Sequence, residues 1–374
     1  MKKSVLFAVR NMNIGGVEKS LISLLNALDP SEYDVDLLLL ENNGGFLESI
    51  PPWVRVIAWD DYSNIRDEVN LPPVSVIKNL FSQKRIGRAI RLSIGFLKYK
   101  ISKNIIYYYK SVFRGLSITG LKEHYDTAVS YTSLISYLSY TVLNYVNADR
   151  YIGWIHFDVS KLVLEKKSIR KLHENMSKIY VVSQEAYRSF VSFFPELADK
   201  CEIKYNIIDE KEIKRLSNEY VESIKENGKL IIITLGRLTS EKGQDIVPEI
   251  ALELKREHLS FKWFLIGDGS LRDEIENKKL QYGLQSEIVL LGTKKNPYPY
   301  LKQADIYVQT SIHEGYCITL AEAKLFCLNI ISTEFAGAYE QLDDYANGIV
   351  VPREKNKIKE AILQMARDDH LCLN

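Results

Sequence analysis

Two kinds of apolar pattern alternate along this chain. Short runs rich in Val, Ile, Leu and aromatic residues, several of them with polar residues inside, occupy 4–9, 33–40, 54–59, 125–131, 151–155, 178–183 and 201–206. Runs of that length and composition predict strands of a largely buried parallel sheet. Between them, apolar residues recur at helical spacing, as at 17–28 and 133–144, which predicts amphipathic helices. A charged connector, 207–228, follows, and the alternation then restarts with strands at 229–235, 262–266, 288–292, 305–310, 329–333 and 348–351. Helices are predicted from 244 to about 257 and over 270–282, 320–326 and 355–367. Strands and helices alternating in two blocks give an α/β chain of two doubly wound, Rossmann-like domains facing a cleft. The division falls at 1–208 and 209–374.

Length supports that division, because 374 residues exceed what one ordinary core organises. Hydrophobic residues at 46% and charged residues at 26% describe a soluble globular chain. A net charge of +1 says nothing, as an overall balance, about nucleic acid or membrane. Cys201, Cys317, Cys327 and Cys372 form no metal-ligand spacing, so no metal site and no disulfide framework is expected. The basic start is followed by too short an apolar core for a secretory signal, and no run reaches the length of a spanning helix. A cytoplasmic location follows.

One stretch departs from the average. Residues 69–122 hold eleven Lys or Arg and no Asp or Glu, with abundant Ile, Leu, Phe and Tyr. A basic, apolar, aromatic-bearing insertion suits an anionic membrane surface, with Arg85, Arg88 and Arg91 expected to face the lipid. No nucleic-acid motif accompanies the charge, so nucleic acid is not the expected partner. The chain is therefore placed as a peripheral protein on the inner face of the cell membrane.

The candidate chemistry sits in loops that follow predicted strands, where open α/β sheets bind ligands. Gly15 and Gly16 separate the first strand from a helix and allow a close approach to backbone N–H groups. His156 ends the strand at 151–155. Gly236-Arg237 and Lys242 follow the first strand of the second block, where a guanidinium and an ammonium suit a diphosphate. Gly267-Asp268-Gly269 follows the next strand. Glu314 and Glu322 bracket Gly315-Tyr316-Cys317-Ile318-Thr319 at a strand-to-helix turn. A helix beginning near Gly315 would put Glu322 about two turns in, with both carboxylates toward one ligand.

In this order the set resembles the retaining family 4 glycosyltransferases of group 1, which have the GT-B fold. Trp154-Ile155-His156 resembles an element of the bacterial surface-polysaccharide members. The resemblance implies a hexose transferred from a nucleotide sugar, with a UDP-sugar as the expected donor, to a glycan acceptor that is lipid-linked. No further cofactor and no metal are implied; Asp343-Asp344 and Asp368-Asp369 do not sit at a plausible strand end. Arg237 and Lys242 would bind the diphosphate, Glu314 the transferred sugar, and Glu322 the ribose. His156 would contact the donor sugar and help place the acceptor hydroxyl. The backbones of Gly15-Gly16 and of Gly315 to Thr319 would approach phosphate or sugar. No residue stands out as a covalent nucleophile, so same-face attack with the leaving phosphate as base is the expected route to retention.

The resemblance has departures. Leu328 stands where many members have Pro, Cys317 where many have Gly or a small residue, and Ala336-Gly337-Ala338 is poorer in glycine than usual. The sequence also stops soon after the helix at 355–367, before the family's usual crossover helix. Two alternatives share the fold: a catalytically silent protein that binds a glycan or a partner transferase, and a nucleotide-sugar epimerase.

Overall fold

The structure, a computed structural model, describes residues 2–157, 159, 166–335 and 337–367. Ala336, Asp368, Asp369, Cys372 and Asn374, named above, lie outside them. The chain divides into two compact units, Met1–Val182 with Ala186–Tyr205, and Ser183–Glu185 with Asn206–Asn374.

In the first unit the apolar runs become β1 (Lys3–Val9), β2 (Tyr33–Leu39), β3 (Arg55–Ala58), β4 (Tyr125–Ser130), β5 (Ala148–Ile155), β6 (Lys178–Val181) and β7 (Cys201–Ile203). They form one parallel sheet in the order β3-β2-β1-β4-β5-β6-β7. Leu6, Ala8, Leu38, Tyr125 and Ala128 bury against the helices of the layer above. In the second unit the runs become β8 (Leu230–Leu235), β9 (Phe261–Ile266), β10 (Ile288–Gly292), β11 (Ile306–Gln309), β12 (Asn329–Thr333) and β13 (Gly348–Val351). Their order is β10-β9-β8-β11-β12-β13, again parallel. Trp263, Ile232 and Val308 anchor one face of this sheet, and Ile231, Ile233 and Tyr307 the other. Burial on both faces is why the central strands β1 and β8 read as nearly continuous apolar runs. Both units are thus Rossmann-like, as expected. In each, strand order reverses once, between β1 and β4 and between β8 and β11. Such switch points are where α/β sheets place ligands.

The insertion is helical, with Pro73–Ser82, Ile86–Ser102 and Ile106–Val112 as its main pieces. It corrects one expectation. Arg88 does not point outward: its guanidinium meets the buried Glu68 carboxylate at 2.6 Å. Arg91 also lies partly inside, where burial first, and then Arg88, lower its pKa. The reason is local, since the acid-free stretch begins one residue after Glu68. A buried carboxylate there draws in the arginines one helix away. Of the three, Arg85 alone stays exposed. Among the described residues, no helix is long and apolar enough to cross a membrane.

Candidate functional site

The C-terminal ends of β8 and β11 are sewn into one piece. The Ile312 and His313 N–H groups donate to the Glu241 carbonyl, at 2.8 and 3.3 Å. Thr310 Oγ1 donates to the Lys242 carbonyl at 2.9 Å. Gly243 makes this possible: it has φ +65°, and a Cβ there would collide with the Thr310 carbonyl. Arg353, just past β13, closes the seam from below. It donates to the Thr310 carbonyl (3.3 Å), the Gly243 carbonyl (3.1 Å) and Asp245 Oδ1 (2.8 Å). Sequence reading missed Arg353; a cation directly after a strand-ending Val351-Pro352 was the available signal.

This frame brings Lys242 and Glu314 together. Lys242 Nζ donates to Glu314 Oε1 at 2.6 Å, with the two side chains only 19% and 11% exposed. Burial pulls the ammonium's pKa down, but the Glu314 carboxylate more than offsets it, and the value stands above that of an ordinary lysine. Lys242 is therefore a fixed positive charge at neutral pH. Glu314 is held in turn by a chain of donors rising from the buried sheet. Tyr307 O–H donates to Gln309 Oε1, Gln309 Nε2–H to Ser311 Oγ (2.6 Å), and Ser311 O–H to Glu314 Oε1 (2.8 Å). Gln309 and Ser311 read in sequence only as the polar end of a strand, which is why they were missed.

Other expected residues are placed less directly. Arg237 is exposed and pairs with Glu241 at 2.6 Å. It is near enough to Lys242 to oppose that lysine's charge. Gly236 follows β8, and Gly267 at φ +144° packs on it so closely that a Cβ would strike the Gly236 carbonyl. Asp268 accepts from the Gly269 N–H at 2.8 Å and pairs with Arg272. Its side chain is thereby turned to local structure.

The turn after Glu314 is tighter than expected. The helix starts at Ile318, not near Gly315, because Cys317 takes left-handed φ +63°. Glu322 is accordingly the fifth helical residue, one turn in. The position favours glycine, which gives a physical reason for the small residue that the resemblance led us to expect. The Cys317 thiol is buried, and burial pushes its pKa up to about 12. Its Sγ lies 3.4 Å from Thr319 Oγ1. Gln341 donates to the Tyr316 carbonyl and pins the turn. Glu322 is fully buried, with Tyr298 O–H donating to it at 3.2 Å. The second carboxylate thus lies inside the wall, whereas Glu314 lines it.

In the first unit, Gly15 caps the helix Gly16–Ala27 past β1. Its φ of −157° is ordinary, and the Glu18 carboxylate folds back into the space that a Cβ there would take. His156 directly follows β5, its ring 4.5 Å from that of Tyr131 and stacked 5.9 Å from Trp154. Burial lowers its pKa to about 3, despite a backbone hydrogen bond with Tyr131, so the ring is neutral. His156 Nε2, Trp154 Nε1 and Thr132 Oγ1 are buried without a hydrogen-bond partner among the described residues. Among the described residues, no group of His, Cys, Asp or Glu is placed to hold a metal ion.

Comparison with known proteins adds to this geometry. Residues 217–374 match the family model described as glycosyl transferases group 1. A glycosyltransferase of Methanocaldococcus jannaschii, itself uncharacterised, is 29% identical over 57% of this chain and 55% of its own. The N-acetylgalactosamine-N,N'-diacetylbacillosaminyl-diphospho-undecaprenol 4-alpha-N-acetylgalactosaminyltransferase of Campylobacter jejuni is 26% identical over 56% of each chain. The chain thus spans about half the length of the curated relatives it matches. Among solved structures, Anabaena Alr3699/HepE in complex with UDP and glucose superposes with a TM-score of 0.68. That likeness, at 15% identity, covers 98% of this chain and 90% of the other; it shows the fold, the GT-B pairing of two Rossmann-like domains. Residues 217–374 are thus similar to group 1 glycosyltransferases in sequence, and the whole chain is similar in fold to the Anabaena structure.

Proposed function

We propose that the chain transfers a hexose from a nucleotide sugar, with UDP as the nucleotide, to a lipid-linked glycan in polysaccharide assembly. The observation that carries this is the Lys242–Glu314 pair, nearly buried and braced at the β8/β11 switch point. A buried cation at that place suits a diphosphate whose negative charge grows as the glycosidic bond breaks. The UDP complex of the Anabaena structure and the lipid-linked diphosphate in the Campylobacter relative's name support the donor and acceptor classes.

In this reading the C-terminal domain, 209–374, binds the nucleotide sugar, and the N-terminal domain, 1–208, the acceptor. Lys242 and Arg237 take the diphosphate. Glu314, oriented by Ser311, accepts a hydrogen bond from a sugar hydroxyl. For Glu322 the reading demands that donor binding uncover a buried carboxylate for the ribose. Gly15, Gly16 and His156 serve the sugar and acceptor side. The acceptor oxygen attacks the anomeric carbon on the face that the phosphate leaves. The bond to the phosphate oxygen breaks, and that oxygen takes the acceptor's proton, so configuration is retained. The test is a panel of nucleotide sugars scored for donor hydrolysis and for protection of the protein against heat. UDP-sugars should protect and turn over; neither effect with any donor would overturn the assignment.

A further inference from the structure

The helix Ile86–Ser102 is apolar on two sides. Its inner side buries Ala89, Leu92 and Gly95 in the core of the first unit. Its outer side carries Ile86, Ile90, Ile94, Leu97 and Ile101, each between 49 and 76% exposed. Spacings of four, four, three and four put these five within an arc of about 80°, in a stripe about 22 Å long. Single exposed apolar residues are ordinary, but an aligned row marks a surface that something covers. The row cannot be turned inward by rolling the helix. A Cβ at Gly95 would strike Ser111 Oγ, so the next helix sits against it there, and Arg88 is fixed to Glu68 at 2.6 Å.

We propose that this outer stripe is a docking face for an anionic lipid bilayer, with the helix lying in the plane of the interface. The proposal deepens the reading above, since it names the surface at which a lipid-linked acceptor would be met. Charge selects the occupant. Lys84, Arg85, Lys98, Lys100 and Lys103 are exposed around the stripe, and 69–122 contains no acid. A second copy seated here would bring like charge onto like charge across a self-complementary contact. An anionic bilayer instead offers hydrocarbon to the isoleucines and headgroup charge to the lysines. Arg88 and Arg91, held inward, take no part.

The test is co-sedimentation of the full chain with vesicles of phosphatidylglycerol and phosphatidylcholine, and with phosphatidylcholine alone. The chain should prefer the anionic vesicles by about tenfold or more. Ile90→Ser with Ile94→Ser and Leu97→Ser should weaken that binding about tenfold or more, since three buried anchors are lost. Lys98→Gln with Lys100→Gln should weaken it severalfold and reduce its salt dependence. Unchanged sedimentation of the triple variant would overturn the proposal. So would a wild-type dimer that the triple variant abolishes while neither binds vesicles. Protection by UDP, measured on the same samples, keeps the two readings apart. UDP protection without vesicle binding overturns the docking face alone, and vesicle binding with neither protection nor turnover by any nucleotide sugar overturns the transferase reading alone.

Discussion

The two sheets reverse strand order in the same way, yet they furnish the switch-point region with opposite chemistry. Beyond β8 and β11 the second unit has a lysine and a glutamate locked at 2.6 Å, with Arg237 nearby. At the ends of β4 and β5 the first unit has Tyr131, Trp154 and a neutral His156 packed against one another, and Tyr131 O–H shares a hydrogen bond with Ser20. Topology supplies the place, and side chains decide what suits it. Fixed charge suits a diphosphate, while aromatic faces and unpartnered neutral nitrogens suit a sugar and its hydroxyls. The contrast accords with the proposed division into a donor domain and an acceptor domain.

The largest test removes the charge. Lys242→Ala should lower donor turnover on the order of 10²-fold, about 2.7 kcal/mol of barrier. It should also lower the melting temperature, because Glu314 is left buried without its cation. Lys242→Met combined with Glu314→Gln separates the two effects. That pair should recover most of the stability and none of the turnover. Turnover at the wild-type level in Lys242→Ala would end the contrast between a charged site and a neutral one.

Much of this was legible before the structure, and the reasons are physical. Buried parallel strands have to be apolar throughout, so β1, β8 and β9 announced themselves. Loops at strand ends carry their polar residues together, so Arg237 and Lys242 could be placed at a sheet edge and Glu314 at a strand-to-helix turn. What stayed hidden depends on contacts remote in sequence. Arg353 reaches Gly243 across 110 positions, and Tyr298 reaches Glu322 from a different helix. Cys317 ended the turn in a left-handed conformation that no periodicity reveals. The insertion misled for a similar reason, because its basic face was counted without Glu68.

A second test uses acid on the first unit. His156 and His173 are both buried, and burial holds their pKa values near about 3 and about 4. His173 is anchored to the Ile169 carbonyl and to Ser133 Oγ. In the unfolded chain both take a proton near 6.5. Between those limits the unfolded chain binds more protons, so the stability is full above about pH 6.5 and falls as pH drops. Going from pH 7 to pH 5 should cost about 2 kcal/mol per histidine. Hydrogen exchange should then rise across β4 and β5 before it rises across β8 and β11. His173→Gln should flatten the slope by half. Equal acid sensitivity in both units would mean that the neutral character of the first is not what sets its response.

The smallest effect sharpens the comparison inside the charged site itself. Arg237 and Lys242 leave the same loop, yet one is 60% exposed and bound to a neighbour four residues on, and the other is walled in. An exposed pair of that kind contributes about 0–1 kcal/mol to stability. Arg237→Ala should therefore leave the melting temperature of the free protein within about a degree or two. Its effect belongs to the donor complex, where the guanidinium would exchange Glu241 for phosphate oxygens. UDP affinity should fall, and the salt dependence of UDP binding should fall with it, while Arg237→Lys should recover only part because the fork is lost. A change in stability without a change in UDP affinity would make Arg237 a structural residue and leave Lys242 as the diphosphate's principal cation.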